Sequence, residues 1–449
     1  MWQSKPRVLA LVRLTFGLLG LAGLALSQTL ALPAHPTTAI TPQSVLVTPI
    51  EESRPNATQL NRGRYLVAAG DCLSCHVREG GAPFAGGLGL NTPFGVIYTS
   101  NITPDPDTGI GAWTPDQFYR AMHDGKDEKG DDLYPAFPYP WFRRVSREDD
   151  DAIFAFLKTM PAVKYTPPKN GLSFPFSVRS FVGAWNLLFL DSHGFQSDAS
   201  QSTEWNRGAY LVQGLGHCGG CHTPKNSFGA DESKQELHGG KLDNWVAPDL
   251  TANTRIGLGD WSIEDVAEFL ATGRNAHAAA GGAMADVITY STAYLSDADR
   301  RAIAVYLKSQ PASPTSASNA PDAGAMRRGA EIYSDACSSC HLDSGVGQSR
   351  IFPPLGKDAM LQQSNATGVE HLLLAGTQIG VSASRPSALS MPSFAWKLTD
   401  QEIADVSTYI RNSWGNQAPA VTSSEVADLR KLLGLQTLHL TENSGDQPR

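Results

Sequence analysis

Six cysteines are the residues of this 449-residue chain best suited to chemistry, and all six fall in three copies of the pattern Cys-x-x-Cys-His. The copies are Cys72, Cys75 and His76; Cys218, Cys221 and His222; and Cys337, Cys340 and His341. In this pattern the two thiols add to the vinyl groups of a porphyrin, and the histidine becomes the proximal ligand of its iron. The spacing therefore predicts three covalently bound haem c groups.

Three other uses of paired cysteines fit the sequence less well. A zinc site would pair Cys-x-x-Cys with a second pair of cysteines or histidines, and none accompanies these motifs. A thioredoxin-like centre requires a strand–helix–strand context, whereas the flanks of the motifs have helical periodicity. Disulfides across two-residue gaps would close very small loops and add little stability.

The sixth ligand of each iron decides whether the haem only carries electrons or also binds small molecules. Met391 stands 50 residues after His341, and Met284 stands 62 residues after His222. Each methionine lies in a loop that precedes the last predicted helix of its repeat. A methionine at such a position is ordinarily a core filler. In the haem context we predict that Met284 and Met391 are axial ligands of the second and third irons.

The first repeat departs from this pattern. Its matching position, 61 residues after His76, is Phe137, and a phenyl ring has no lone pair to donate. The sixth ligand of the first haem is therefore unknown, and that iron is either five-coordinate or ligated by a residue not identified. We expect Met122 to form part of the haem wall and His123 to be solvated.

These motifs need elements that position them, and the sequence repeats those elements three times. A short amphipathic helix leads into each motif: NRGRYLVAAGDCLSCH, NRGAYLVQGLGHCGGCH and RRGAEIYSDACSSCH. Each repeat closes on a second helix, for which Ser146, Ser296 and Thr399 are the predicted N-caps. Repetition of this length predicts an all-α protein of three tandem cytochrome c-like domains, each wrapped around one haem.

The boundaries follow from the repeats and from shifts in composition. They are a signal peptide at 1–27, a Pro/Thr-rich linker at 28–56, domain one at 57–161, an aromatic linker at 162–203, domain two at 204–311, a flexible linker at 312–325, domain three at 326–416 and a C-terminal tail at 417–449. Three domains of ordinary size agree with the chain length.

Charge and the N-terminus indicate where such a protein works. Lys5, Arg7 and Arg13 precede or border an uncharged Leu/Gly/Ala run that ends before a small-residue cleavage site, as in an export signal. The run is shorter than the ~20 residues that span a bilayer, which favours cleavage over anchoring. We expect the mature protein on the periplasmic side of the bacterial cytoplasmic membrane. The net charge of −8 argues against nucleic-acid binding.

Beyond the motifs, the chain resembles the three-haem cytochrome c subunits of membrane-bound periplasmic dehydrogenases over about residues 58–416. The resemblance rests on several stretches, of which the most specific are LYPAFPYPWF, FPFSVRSFVGAWNLLFLDS and MPSFAWKLTDQEIADVSTYIRNSWGN. The family implies the same haem ligands as above, from the three motifs, Met284 and Met391. It usually has methionine in the LYPAxPY motif, where this chain has Phe137.

The resemblance implies an electron-transfer subunit that is not catalytic on its own. Its partner would be a dehydrogenase subunit of the PQQ, flavin or molybdopterin type, and its acceptor ubiquinone or another respiratory carrier. Attachment to the membrane surface through apolar side chains is also implied. The aromatic linker at 173–195 and the tail at 426–440 could provide it or could dock the partner. Two alternatives are an electron-delivery module of a terminal oxidase and a self-contained, peroxidase-like haem enzyme acting at an open first haem.

Overall fold

A computed structural model describes residues 44–191, 193–242, 244–315 and 318–436. The predicted signal peptide at 1–27 and most of the linker at 28–56 lie outside the described residues, as does the end of the C-terminal tail. Within the described ranges, no helix combines the length and the apolar character needed to cross a membrane.

The first segment, residues 57–157, runs from a long helix through the first motif to a second long helix. Its elements, with the short helix before it and the strand and helix after it, are α1 Ser44–Val47, α2 Ala57–Ala69, α3 Cys72–Cys75, β1 Gly89–Thr92, β2 Gly95–Tyr98, α4 Pro115–Asp124, α5 Tyr139–Phe142, α6 Arg147–Leu157, β3 Gly171–Leu172 and α7 Ser180–Phe189. The three strands form one antiparallel sheet in the order β1-β2-β3.

The second segment, residues 203–308, has the same order of elements. They are α8 Thr203–Gln213, α9 Gly219–His222, a 3₁₀ turn at Ser233–Gln235, β4 Gly240–Leu242, β5 Trp245–Ala247, α10 Ile263–Thr272, α11 Ala283–Tyr290, a 3₁₀ turn at Thr292–Tyr294 and α12 Asp297–Lys308. Strands β4 and β5 form an antiparallel hairpin.

The third segment, residues 323–432, ends with one more helix than the others. Its elements are α13 Ala323–Ala336, α14 Ser338–His341, α15 Thr367–Ala375, β6 Thr377–Gln378, β7 Ser390–Met391, α16 Asp400–Ile410 and α17 Ser423–Leu432. The helical architecture agrees with the prediction. The short antiparallel hairpins do not belong to a strictly all-α fold. The first two follow the first and second motifs, and the third lies between α15 and α16.

In every segment two long helices cross at a glycine: α2 with α6, α8 with α12, and α13 with α16. These glycines leave no room for a side chain, because a Cβ built on each would overlap a carbonyl oxygen of the facing helix. The facing pairs are Gly63 with Ala152, Gly208 with Ala302 and Gly329 with Asp405. The repeated Arg-Gly of the sequence is therefore the contact that brings backbone against backbone at each crossing.

The arginine before each glycine pairs with a carboxylate on the facing helix. The ion pairs are Arg62 with Asp149 at 2.6 Å, Arg207 with Asp299 at 2.7 Å and Arg328 with Asp405 at 2.6 Å. In the first two segments the paired aspartate is also the third residue of the capped helix. All three predicted N-caps are confirmed, since the hydroxyls of Ser146, Ser296 and Thr399 accept backbone N–H groups three residues on.

Two tyrosines join the first and second segments in a reciprocal manner. The Tyr65 hydroxyl, on α2, donates to the carboxylate of Asp299 on α12 at 2.5 Å. The Tyr210 hydroxyl, on α8, donates to the carboxylate of Asp149 on α6 at 2.6 Å. Each segment thus offers its first helix to the last helix of the other, around the same kind of Arg–Asp pair.

The buried hydrophobic side chains form two separate clusters. One continuous cluster of buried side chains runs from Leu46 to Leu307 and includes residues of both the first and second segments. A separate cluster fills the third segment, from Tyr333 to Leu429. The first two segments therefore share a core, whereas the third has its own.

The predicted aromatic linker, 162–203, contains strand β3 and helix α7. Strand β3 extends the first sheet, and the Asn186 side chain of α7 accepts a hydrogen bond from the Tyr139 hydroxyl at 2.6 Å. The Trp185 indole donates to the Phe228 carbonyl of the second segment at 3.0 Å, so α7 bridges the first two segments. The start of the 312–325 spacer is also held, because buried Ser313 donates its N–H to the Thr251 hydroxyl.

The tail expected at 426–440 does not present its helix as a free apolar surface. Val426 and Leu429 of α17 are buried against α16. Buried Arg430 donates to the Asp400 carboxylate at 2.6 Å and to the carbonyls of Ala395 and Leu398. Helix α17 is thus part of the core of the third segment.

Candidate haem sites

Each Cys-x-x-Cys-His motif forms a single helical turn. In all three, the histidine N–H donates to the carbonyl oxygen of the first cysteine at 3.0 Å. Residues three and four positions apart share one face of a helical turn, so the two thiols and the imidazole of each motif project in the same direction. All six cysteines lie in the described residues and are free thiols.

A backbone carbonyl orients each motif histidine. The Nδ1 atom of His76 lies 2.7 Å from the carbonyl oxygen of Ser100, and that of His222 lies 2.6 Å from the carbonyl oxygen of Pro248. The Nδ1 atom of His341 lies 3.1 Å from the carbonyl oxygen of Pro353. Because a carbonyl only accepts, Nδ1 carries the proton and Nε2 keeps the lone pair that an iron ion requires.

A glycine with positive φ returns the chain to each motif. The N–H groups of Gly86, Gly239 and Gly347 donate to the carbonyls of the three motif histidines at 2.9, 2.9 and 3.0 Å. Their φ angles are 69°, 85° and 58°, which a residue with a Cβ rarely adopts. Neither these contacts nor the orienting carbonyls were predicted from the sequence. The repeated -Asn-Ile-Thr- and -Asp-Leu-Thr- stretches that begin at residues 101 and 249 were the available signal.

Burial favours the neutral form of five motif cysteines and of the three motif histidines. It raises the pKa values of Cys72, Cys75 and Cys218 to about 12 and that of Cys337 to about 11. Burial also lowers the pKa values of the three motif histidines below their ordinary range. Neutral imidazoles with a free Nε2, beside two thiols on the same face, fit the donor set that covalent haem c needs.

The two predicted methionine ligands are half-buried at the edges of the cores. Met284 is the second residue of α11 and packs against the shared core of the first two segments. Met391 is in β7, pairs with Thr377 of β6 and packs against the core of the third segment. Their roles as iron ligands remain predictions.

Phe137 of the first segment lies among aromatic rings, whereas the matching residue of the second segment, Met284, lies in helix α11. The Phe137 ring centroid lies 5.6 Å from that of Phe142 and 6.3 Å from that of Tyr139. Met122 is buried in the same cluster. The expectation that Met122 packs in the interior is therefore confirmed, and its contact with haem stays a prediction.

The expectation that His123 is solvated was wrong. The residue is only 8% exposed, and its ring stacks on Tyr119 with centroids 3.9 Å apart. Its Nε2 lies 2.7 Å from Oδ2 of Asp150, whose pKa burial raises to about 6. The helix bearing His123 turns this side chain toward α6, where a buried carboxylate compensates it. With Nε2 engaged by Asp150, His123 does not offer that nitrogen to iron.

The first two motifs lie near each other. The Trp141 indole of α5 packs so closely on Gly219 of α9 that a Cβ there would overlap it. Reciprocally, α11 of the second segment contacts α3 of the first. Burial raises the pKa of the Cys75 thiol, and the nearby Cys221 of the second motif adds a smaller increase. Two redox groups attached here would be neighbours within one shared core.

Comparison with known proteins agrees with this geometry. The sequence model of the cytochrome c family matches residues 326–414. The chain is 41% identical over 394 residues to the cytochrome c subunit of a quinone-type alcohol dehydrogenase from Gluconobacter oxydans (strain 621H), covering 83% of this chain and 82% of the relative. It is 39% identical over 404 residues to the gluconate 2-dehydrogenase cytochrome c subunit of Pantoea cypripedii, covering 85% and 92%.

A third relative is the fructose dehydrogenase cytochrome subunit of Gluconobacter japonicus, which is 35% identical over 417 residues and covers 85% of this chain and 84% of its own length. These three relatives match 83–85% of this chain, which is far more than one motif. The chain therefore belongs to the family of dehydrogenase cytochrome c subunits, which transfer electrons through covalently bound haem c.

Proposed function

We propose that this chain carries three haem c groups and conducts electrons from a dehydrogenase catalytic subunit to ubiquinone or another respiratory acceptor. The observation that supports three haems is the threefold recurrence of one local structure. Each motif has the same helical turn, the same histidine-to-carbonyl bond and the same returning glycine. Three tandem cytochrome c domains, at 57–161, 204–311 and 326–416, follow from this recurrence.

The proposed ligand set uses the residues already described. Cys72, Cys75 and His76 hold the first haem; Cys218, Cys221, His222 and Met284 the second; Cys337, Cys340, His341 and Met391 the third. Haem c, when bound, supplies a one-electron couple at each site. The chain's own residues fix its orientation, keep the imidazoles neutral and exclude water with the surrounding apolar side chains. Phe137 leaves the first site without a methionine, which lowers the potential expected there.

The catalytic partner is proposed from the relatives. Three of them are named as subunits of alcohol, gluconate and fructose dehydrogenases. A PQQ, flavin or molybdopterin subunit would oxidise the substrate, and electrons would enter this chain from it. The shared core of the first two segments would keep two haems at a fixed separation, and the contacts between the second and third segments would extend the path.

We place the protein on the periplasmic side of the cytoplasmic membrane. The predicted export signal at 1–27 supports this location. A surface for membrane attachment is the outer side of α7 and the residues before it, where Phe174, Phe181, Leu187 and Leu188 are 80%, 52%, 87% and 73% exposed. Exposed aromatic and leucine side chains on a helix without charged residues suit the boundary between headgroups and acyl chains.

The proposal is tested by counting haems. The chain is expressed with its signal in a host with a cytochrome c maturation pathway, and covalent haem is measured by mass and by pyridine haemochrome absorbance. We expect three haems in the wild-type protein and two in each variant with one motif changed, such as Cys218→Ala with Cys221→Ala. Three haems that persist after that change would refute the assignment of the second motif.

Two further measurements separate the proposed function from the alternatives. Rapid reduction by a co-purified dehydrogenase, with substrate present, supports the electron-transfer role. The open first site suggested by Phe137 favours one rival, a self-contained peroxidase-like enzyme, which predicts peroxide turnover by the purified chain alone. Co-purification with a terminal oxidase instead of a dehydrogenase would favour an oxidase module.

A further inference from the structure

The Thr377 side chain lies between the start of α11, which carries Met284, and strand β7, which carries Met391. Thr377 of β6 pairs directly with Met391 of β7. Its Oγ1 accepts a hydrogen bond at 3.0 Å from the backbone N–H of Gly282, two residues before Met284. The Thr377 side chain and the β6–β7 pairing therefore connect the strand that carries Met391 to the residues just before Met284.

Close packing leaves this junction little freedom on the side of the second segment. A Cβ on Gly281 would lie 2.8 Å from Oγ1 of Thr377, and one on Gly282 would lie 2.7 Å from the Trp245 indole. Gly282 has φ 55° and ψ −143°, a conformation that residues with a Cβ avoid. The loop before Met284 thus fits between Thr377 and Trp245 only because both positions are glycine.

The side of the third segment is equally constrained. Gly376, with φ 73°, packs so that a Cβ would lie 2.6 Å from the Met391 carbonyl oxygen. The N–H of Phe394 donates to the Leu373 carbonyl at 2.8 Å, which ties the chain after Met391 to α15. A displacement of the Met391 strand must therefore move Thr377, and with it the acceptor of the Gly282 bond.

The two segments are also held together at places remote from Thr377. The Arg350 guanidinium makes two hydrogen bonds to the Glu268 carboxylate, at 2.5 and 2.9 Å. The Gln363 side chain donates to the Ile256 carbonyl at 2.7 Å. Since these contacts dock the third segment on the second independently, loss of the Thr377 hydroxyl should alter the junction without separating the segments.

We propose that Thr377 is a positioning residue that couples the axial methionine of the second haem site to that of the third. The inference rests on the proposed ligand roles of Met284 and Met391. By accepting the Gly282 N–H, the hydroxyl keeps the start of α11, and with it Met284, in the ligating position. The strand that carries Met391 sets the position of that hydroxyl. Coupling of this kind is reciprocal, so a displacement of the backbone at either methionine shifts the other. Removing the Met391 side chain alone leaves the β6–β7 pairing in place.

The test uses the full haem-loaded chain with Met391→Ala as background. In that background the weak red charge-transfer band of ferric methionine-ligated haem reports on Met284, and the same protein with Met284→Ala added gives the baseline. Imidazole is then titrated in, and the loss of the band measures displacement of Met284. Thr377→Val removes the acceptor at nearly constant volume, and Thr377→Ser retains it.

We expect Thr377→Val to lower the imidazole concentration at half-loss of the band by about fivefold, which is the contribution of one typical hydrogen bond. Thr377→Ser should have the same imidazole midpoint as the Met391→Ala protein with Thr377 intact. Glu268→Ala weakens docking without touching the junction and should leave the midpoint unchanged. Haem content and the midpoint of thermal unfolding are measured for every variant.

Three results would overturn the coupling: an unchanged midpoint in Thr377→Val, a serine variant that behaves like valine, or a Glu268→Ala variant that shows the same shift. The proposed ligand set fails in a different way. If Met284 is not a ligand, the Met391→Ala protein has no band before Thr377 is changed, and that result overturns both the ligand assignment and the coupling. A band present at the start with no response to Thr377 overturns the coupling alone.

Discussion

The paired tyrosines between the first and second segments allow a quantitative prediction. Tyr65→Phe and Tyr210→Phe each remove one hydroxyl and leave the ring in place. Each hydroxyl donates to a carboxylate, of Asp299 at 2.5 Å and of Asp149 at 2.6 Å. We expect the double variant to unfold at a lower temperature because both bonds cross between segments that share a core.

The size of the effect follows from what remains after each change. A hydrogen bond to a charged group contributes roughly 1.5–3 kcal/mol, and the lower value applies here because each carboxylate keeps its arginine. The two tyrosines have separate acceptors, so the losses add to about 3 kcal/mol. For a unit of about 250 residues this corresponds to a decrease of roughly 6–12 °C in the unfolding midpoint.

Calorimetry of the haem-loaded protein measures this directly. The third segment has a separate core and provides an internal reference, whose transition should not move. Tyr119→Phe is the matched control, because that hydroxyl makes no hydrogen bond to any residue the structure describes. A double variant as stable as the control would refute the inference. So would a Tyr65→Phe effect that is equally large in an Asp299→Ala background, since the cost would then not arise from this pair.

Three other changes should have defined outcomes. Gly329→Ala places a methyl group against a carbonyl of the facing helix and should cost the third segment about 3 kcal/mol in denaturant unfolding; a wild-type midpoint would contradict the close crossing. Burial of Asp299 opposes its ionisation, but hydrogen bonds to the carboxylate outweigh it, so the folded pKa lies below the ordinary value. The ionised Asp299 carboxylate therefore stabilises the fold fully above the unfolded pKa of about 4, and this stabilisation is lost as the pH falls through the folded pKa. Asp299→Asn should flatten the pH dependence of the free energy of unfolding below about pH 4. Leu187→Glu with Leu188→Glu should abolish sedimentation with phospholipid vesicles, whereas Leu432→Glu, at another exposed leucine, should not.

The sequence was most informative where function depends on side chains close together along the chain. The three motifs and the three helix caps at Ser146, Ser296 and Thr399 could be located because each involves residues three or four positions apart. The conformation of those turns is local, and the structure has it at every predicted place.

Contacts between distant parts of the chain could not be predicted in the same way. The carbonyls that orient the motif histidines, such as that of Ser100, lie on returning loops, and a backbone carbonyl has no side-chain signature. His123 seemed solvated because its aligned partner in the second repeat is alanine, whereas its actual environment depends on Asp150 of α6, 27 residues away. The crossing of Tyr65 to the second segment likewise depends on how two repeats dock, which no single repeat encodes.

The core shared by the first two segments has a consequence for how such a chain can be divided. Cutting between them would expose to water the leucine and phenylalanine side chains that each now covers for the other, and would remove from Tyr65 and Tyr210 the carboxylates they bind. For the first two segments, the smallest fragment that can be produced as a stable protein is therefore the pair. The third segment, with its own interior, can be gained, lost or exchanged by recombination without unfolding its neighbours.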